Sequence, residues 1–217
     1  RMRVFTLKLL FTILFVNVLH AQNLLNNGDF ESGGVGVGFN INGTGYNYVA
    51  TASGTTAAGD YSFTTNPQPF NTTNFIVSGD HTSGSGKMMI IDGSNDGGNP
   101  SFWKAGNSGG GVCGLTVGAT YTFRYWVRSI STTVTNPATQ ADIRVVFNNA
   151  TVVTSPVSTL APVTTAGWEQ RVYTFTPTNA CVNIELRNFN TSFVGNDFAI
   201  DDLAVIPPPQ PLTVRYS

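Results

Sequence analysis

Two short stretches near opposite ends of this chain are rich in carboxylates. "NGDFES" carries Asp29 and Glu31 around Phe30, and "GNDFAIDD" carries Asp197, Asp201 and Asp202, in a chain of which only 11% is charged. If the first and last strands of a compact domain run close together, these acids meet at one edge. Uncompensated, they repel. A hard cation with about six to eight oxygen ligands removes the conflict, and Ca2+ accepts carboxylates and backbone carbonyls in flexible geometry. In the competing reading the acids cap turns and bond backbone amides in water. The residues alone leave both open.

Catalytic constellations are poorly supplied. A Ser/His/Asp or Cys/His arrangement requires a histidine, and the chain has two, His20 and His81. His20 falls in an N-terminal leader, and His81, in "GDHTSG", reads as a polar turn residue or loop anchor without a positioned partner. Glycoside hydrolysis needs two carboxylates across a cleft, and nothing in the spacing of Glu169, Glu185 and the scattered aspartates favours such a pair. Cys113 and Cys181, with one distant histidine, make no zinc pattern. In an oxidising compartment these cysteines form a disulfide, whose long loop would be worth on the order of 4 kcal/mol, or they stay as buried thiols. Both remain open. "GGVGVG" and "NSGGGVCG" lack a following helix and a Lys-Ser/Thr pair, so they are turns rather than phosphate cradles. This segment is therefore read as no enzyme, with any catalytic domain lying past Ser217.

These residues need a frame. Arg1, Arg3 and Lys8, the apolar "LLFTILFVNVL" and "LHA" before Gln22 make residues 1–21 a signal peptide cleaved after Ala21. The apolar run is too short for the ~20 residues of a membrane helix, so no membrane insertion is expected after cleavage. The protein is expected to be secreted or displayed at the cell surface. Because the chain opens on Arg1 rather than methionine, it is expected to be a fragment. "IPPPQPLTVRYS" makes 207–217 a proline-rich tether into further domains of the same chain. Cleavage leaves eight basic residues against twelve acidic ones, a balance without the basic stripe that nucleic acid requires.

Residues 22–206 then form one domain. Runs of β-branched and aromatic residues, broken by Gly, Asn, Ser and Thr, predict strands at "MMIID", "TYTFRYWVRS", "ADIRVVF", "WEQRVYTF", "CVNIELRNF" and "DFAIDDLAVI", with shorter ones at "NLLNNGDFE" and "YSFTTN". No amphipathic helix is evident. The fold class is all-β, a two-sheet antiparallel sandwich. Gly33 to Thr73 reads as a loop-rich stretch.

Strand parity sorts the side chains. Tyr121, Phe123, Tyr125 and Val127 share one face and Arg124, Trp126 and Arg128 the other. Likewise Ile143, Val145 and Phe147 oppose Arg144, and Val182, Ile184 and Leu186 oppose Arg187. Four of the eight basic residues thus point away from the core, with Trp126 among them. Tryptophan flanked by guanidinium groups can stack on a sugar ring while its neighbours bond the hydroxyls, with Trp103, Tyr46 or Tyr48 joining from loops. Alternatively Trp126 packs beneath the Gly33 to Thr73 stretch and the arginines are solvated surface. In "DFAIDD", parity puts Asp197, Ala199, Asp201 and Leu203 on one side, and Phe198, Ile200 and Asp202 on the other.

"NLLNNGDFES", "YTFRYWVRS", "W...VYTFTP" and "GNDFAIDDLAV" resemble carbohydrate-binding modules of the family 4/9/22 type, which are jelly rolls of the galactose-binding-like fold. "SGDHTSGSGKMMIIDGS", "FWK" and "GNDFAIDD" are similar to repeated modules of secreted and cell-surface proteins of Bacteroidetes. The resemblance covers residues 23 to 206. It implies a structural Ca2+ held by Glu31 and Asp201, with Asp29 and Asp202 as further partners and Asp197 holding the turn. The function it implies is non-catalytic binding of polysaccharide or a cell-surface glycan. The alternative is an adhesion or spacer sandwich without a sugar site.

Overall fold

The computed structural model describes residues 22–32, 45–98, 100–106, 111–132, 134–148, 150–152 and 158–209. The leader, residues 33–44 of the loop-rich stretch and residues 210–217 of the tether lie outside the described residues.

The described strands are, in chain order, β1 (Asn47–Tyr48), β2 (Asp60–Thr64), β3 (Met88–Ile91), β4 (Ser101–Lys104), β5 (Val112–Cys113), β6 (Tyr121–Ser129), β7 (Ile143–Phe147), β8 (Ala150–Val152), β9 (Glu169–Phe175), β10 (Cys181–Val182), β11 (Ile184–Asn188) and β12 (Phe198–Ile206). One sheet has the order β1-β2-β3-β12-β6-β9, the second β4-β11-β7-β8, and a short pair joins β10 to β5. All pairings are antiparallel except β1 with β2. From β3 onward the long strands alternate between the two sheets, the connectivity of a jelly roll. Among the described residues no helix is long and apolar enough to cross a membrane.

Alternation builds the core. In β6, Tyr121, Phe123, Tyr125 and Val127 are buried while Arg124 is exposed, and β7 and β11 bury Ile143, Val145, Ile184 and Leu186. The two inner faces meet through Trp103 on Phe123 (6.0 Å), Phe102 on Phe198 (4.9 Å) and Phe123 on Phe147 (6.4 Å). Burying rings of this size supplies most of what opposes chain entropy. All four residues of β3 are buried. Its second face, Met88 and Ile90 with Ala199 and Ile130, is covered by Phe70 and Phe75. That cover is strapped down where Ile76 N donates to Ile130 O (2.8 Å) and Thr132 N to Asn74 O (2.8 Å).

"NLLNNGDFE", expected as a strand, is a chain of turns, with Asn27 and Phe30 at positive φ (52° and 57°). It still lies along β12, because Leu24 N donates to Val205 O and Leu203 N to Gly28 O, both at 2.9 Å. Cys113 and Cys181 are bonded, joining β5 to β10.

Candidate functional site

Strict parity fails in the middle of β12, and the failure creates the site. Asp201 is opposite Trp126, yet Ala204 is opposite Arg124, so β12 carries one extra residue against β6. The result is a β-bulge in which Asp202 takes a φ of 49°. Phe198 and Ile200 face the core before the bulge, and Leu203 and Val205 after it. Leu203, expected beside Asp201, therefore turns inward, and Asp202 escapes the core. Burying that carboxylate among rings would cost several kcal/mol, roughly the penalty of an unpaired buried charge.

Opposite the bulge, Asn23 fixes the N-terminal turns. Its amide donates to Leu203 O and its carbonyl oxygen accepts from Val205 N, both at 2.9 Å. Gly28 packs so closely that a Cβ there would stand 2.0 Å from Leu203 O. Asp29 and Glu31 are thereby delivered to the same pocket as Asp201 and Asp202, as the meeting of chain ends requires. The loop 79–87 adds Asp80, which sequence reasoning missed. Its signal was the Asp-x-x-Ser-x-x-Gly spacing, because Asp80 closes the loop by accepting from Ser83 N and Gly86 N, each at 2.8 Å.

The pocket, about 420 Å³, is lined by Asp29, Glu31, Asp80, Asp201 and Asp202 with Thr82, Ser83, Ser85 and Gly86. Burial pushes Asp201 up to about 7, against the His81 amide that donates to it, and the charges of Asp202 and Asp80 add to the rise. Burial acts on Asp80 in the same direction, but the amides of Ser83 and Gly86 outweigh it and hold Asp80 below its ordinary value. Among the described residues no three of these groups converge into a finished coordination sphere. Two do share a cradle. The point a Cβ on Gly86 would occupy lies 2.1 Å from Glu31 Oε1 and 3.2 Å from Asp80 Oδ2. Both carboxylates are already engaged there, Glu31 Oε1 accepting from Lys87 N at 2.6 Å and Asp80 Oδ1 from Gly86 N at 2.8 Å.

Beside it opens a cleft of about 580 Å³ on the outer face of the six-stranded sheet. Trp126 and Arg124 form part of its wall, with Gln170, Asn23, Asn27, Asp29, His81, Thr82 and Asp202 around them. Trp126 is half-buried because the His81 ring stacks on it at 3.7 Å with a 17° tilt. His81 is in turn held by Asp202, through Nδ1 to Oδ2 at 2.7 Å, and Thr82 Oγ1 also donates to Asp202. The cover over Trp126 is thus the 79–87 loop.

The other expected sugar contacts do not gather here. Arg144 and Arg187 stand on β7 and β11, whose outer face is on the far side of the molecule. There they are cross-strand partners, held by Asp142 (2.6 Å) and Glu185 (2.8 Å). Parity assigns a face within one strand but not the sheet to which that strand belongs. Arg128 is drawn under the loop, donating to Ser78 Oγ at 2.6 Å with its guanidinium 5.8 Å over Trp168. Burial pulls it below its ordinary pKa. Trp103, expected in a loop, is in β4 and 2% exposed. Tyr46 is core, its oxygen accepts from Ser94 N, and burial pushes its hydroxyl up to about 12. Tyr48 is exposed but sits on β1, four strand spacings, roughly 19 Å, across the sheet from β6.

No family model matches the chain, and neither does any curated protein. Solved structures of similar architecture include several carbohydrate-binding modules. The C-terminal domain of EclA, described as a sugar-binding protein, is 18% identical with a TM-score of 0.35, over 43% of this chain and 61% of that one. The arabinose-bound α-L-arabinofuranosidase MgGH51 is 13% identical with a TM-score of 0.49, over 87% of this chain and 27% of that one. The CBM22-1 xylan-binding domain of Paenibacillus barcinonensis Xyn10C is 10% identical with a TM-score of 0.38, over 62% and 80%. This chain spans less than two thirds of the first two.

Asp197 stands apart from the acidic pocket. It accepts from Gly93 N at 3.1 Å and faces Asp92, which accepts from Thr56 Oγ1 at 2.5 Å. Burial, and then the charge of Asp92, push Asp197 up from 3.8 to about 7. A carboxyl raised on folding contributes stability that is complete below its ordinary pKa and disappears as pH rises through the folded value. Parent and Asp197→Asn are therefore expected to converge near pH 4. Between pH 4 and 7 the parent should lose up to about 1.4 kcal/mol per pH unit relative to the variant. Denaturant unfolding of both across that range measures this, and parallel profiles would refute the raised carboxyl of Asp197.

Proposed function

We propose that the protein is a non-catalytic carbohydrate-binding module, that its glycan lies in the cleft beside Trp126 and Arg124, and that the adjoining acidic pocket holds a structural Ca2+. The observation that carries this is the lining of the cleft: one indole, one exposed guanidinium, and amide, hydroxyl and carboxylate groups on a single concave surface. Sugars present apolar C–H faces and a rim of hydroxyls, so aromatic surface with convergent hydrogen-bonding groups is what they require. The His81–Asp202 pair is spent on covering Trp126 and holding the loop. Asp29 and Asp202 share the acidic pocket instead of standing apart across a substrate. The N-terminal leader, secretion and further domains past Ser217 belong to the same reading.

Two experiments test it. In affinity electrophoresis against soluble xylans, glucans, mannans and pectins, at least one is expected to retard the parent. Arg124→Ala should weaken that retention about 10- to 100-fold, as the loss of a hydrogen bond to a charged group implies. Trp126→Ala should weaken it as well, while Arg144→Ala and Arg187→Ala, on the opposite outer face, bind like the parent. If all four variants behave alike, the cleft is not the site. For the ion, calcium at a hundred times its Kd adds about 2.7 kcal/mol, raising the Tm by roughly 5–10 °C over the chelated protein. An unchanged melting curve with no calorimetric binding would remove the metal from the proposal.

A further inference from the structure

Resting on that reading, we infer that the cleft selects glycans bearing an anionic substituent, a uronate carboxylate or a sulfate ester, and that Arg124 is the residue that recognises it. Most strand arginines of this protein bring their own counter-ion. Arg144 pairs with Asp142 at 2.6 Å, Arg171 with Glu169 at 3.0 Å and Arg187 with Glu185 at 2.8 Å, the acid standing two residues earlier each time. That spacing returns to the same face of a strand, so the partner is built in locally. Arg128 has Trp126 at that position and bonds Ser78 instead. Arg124 has Thr122 there, and its cross-strand neighbours, Ala204 on β12 and Val172 on β9, carry no charge either. Among the described residues no carboxylate oxygen comes within 4.0 Å of its guanidinium.

The cleft around this cation is polarised. Asp29, Thr82 and Asp202 line both cavities and so mark the border with the acidic pocket, whereas Arg124, Gln170, Ala204 and Ile206 line the cleft alone. Asp202, in the bulge beside Ala204, is already held by His81 Nδ1 and Thr82 Oγ1, which leaves the guanidinium uncommitted. Arg124 is exposed on β6, an interior strand of its sheet between β12 and β9. A planar guanidinium offers two parallel N–H donors to a carboxylate or sulfate, and such charge-assisted bonds are stronger than those to a neutral hydroxyl. Asp29 and Asp202 repel the same substituent, which fixes its direction. The charged sugar lies at the Arg124 end, and its neutral neighbours donate hydroxyls to the carboxylates. The chain as a whole carries a formal charge of −1, so a polyanion gains nothing from the overall field and any preference for it arises locally.

Paired polymers test the preference by isothermal calorimetry. Glucuronoxylan, pectin and alginate are each set beside the same polymer with its uronates reduced to neutral sugars, and carrageenan beside its desulfated form. The uronate and sulfate pairs separate the two sources of charge. The parent is expected to bind at least one charged polymer about 10- to 100-fold more tightly than its neutral twin. Arg124→Gln should bind both twins alike, at the parent's affinity for the neutral one. Arg124→Lys, a charge without the planar fork, should keep only part of the preference. Raising NaCl from about 0.05 to about 0.5 M should weaken the parent's hold on the charged polymer about fivefold or more and leave Arg124→Gln unmoved, because an exposed pair is screened by salt. Arg124 is exposed, so both variants should melt with the parent, which separates lost recognition from lost folding. Equal affinity for the two members of every pair, or a preference that survives Arg124→Gln, overturns the role of Arg124. The cleft reading still stands in that case if Trp126→Ala weakens binding. Failure to bind any polymer, charged or neutral, removes both.

Discussion

Replacing Cys113 and Cys181 together by serine is expected to destabilise the protein by about 4 kcal/mol and lower its Tm by roughly 10–15 °C. The bond spans 68 residues of sequence and ties β5 to β10, the short pair outside the two main sheets. Chain entropy dominates the estimate, because both cysteines are exposed and serine leaves no cavity behind. Their neighbours Val112 and Val182 remain buried, so the folded packing is largely retained. What changes is the unfolded chain, which regains the freedom of a long loop. Equilibrium denaturation of the double variant, beside the parent with and without reductant, measures the effect. A difference below about 1 kcal/mol would show that the cross-link restricts little.

Phe30→Ala is expected to cost about 3–5 kcal/mol, the range for emptying a buried aromatic site. Phe30 is 0% exposed and packs against Phe63 at 5.4 Å. It is also the anchor between Asp29 and Glu31, which reach the acidic pocket from either side of it. Two losses should therefore occur together: a drop in Tm of roughly 10 °C and a weakened affinity for calcium. Ile184→Ala, in the opposite sheet, separates them. It empties core of comparable depth but should leave calcium affinity as in the parent. If Phe30→Ala unfolds at the parent's temperature, or if both variants bind calcium equally, the anchoring role of Phe30 is wrong.

The β layers were legible because burial imposes a period of two on each strand. Tyr121, Phe123, Tyr125 and Val127 declare a core face through their own alternation, and so do Ile143, Val145, Ile184 and Leu186. The acidic residues were legible for a related reason. A chain so poor in charge has few explanations for Asp29 and Glu31 at one end and Asp201 and Asp202 at the other, and the structure lines one pocket with all four. Asp80 escaped notice because its place depends on where a loop closes in space.

From sequence alone came the local facts: which residues alternate, where turns interrupt them, and which end carries which charge. Tertiary structure alone decided the non-local ones. Pairing put Arg124 and Arg144 in different sheets, although both are outward arginines on well-formed strands. One inserted residue at Asp202 reversed the faces of Leu203 and Val205, and no periodicity reports an insertion until the partner strand supplies the count. The loop carrying Asp80 and His81 covers Trp126 because it is strapped to Asp201 and Asp202, some 120 residues away in sequence. Contacts between segments so far apart are set by the energy of the whole packed arrangement, which no window of neighbouring residues contains.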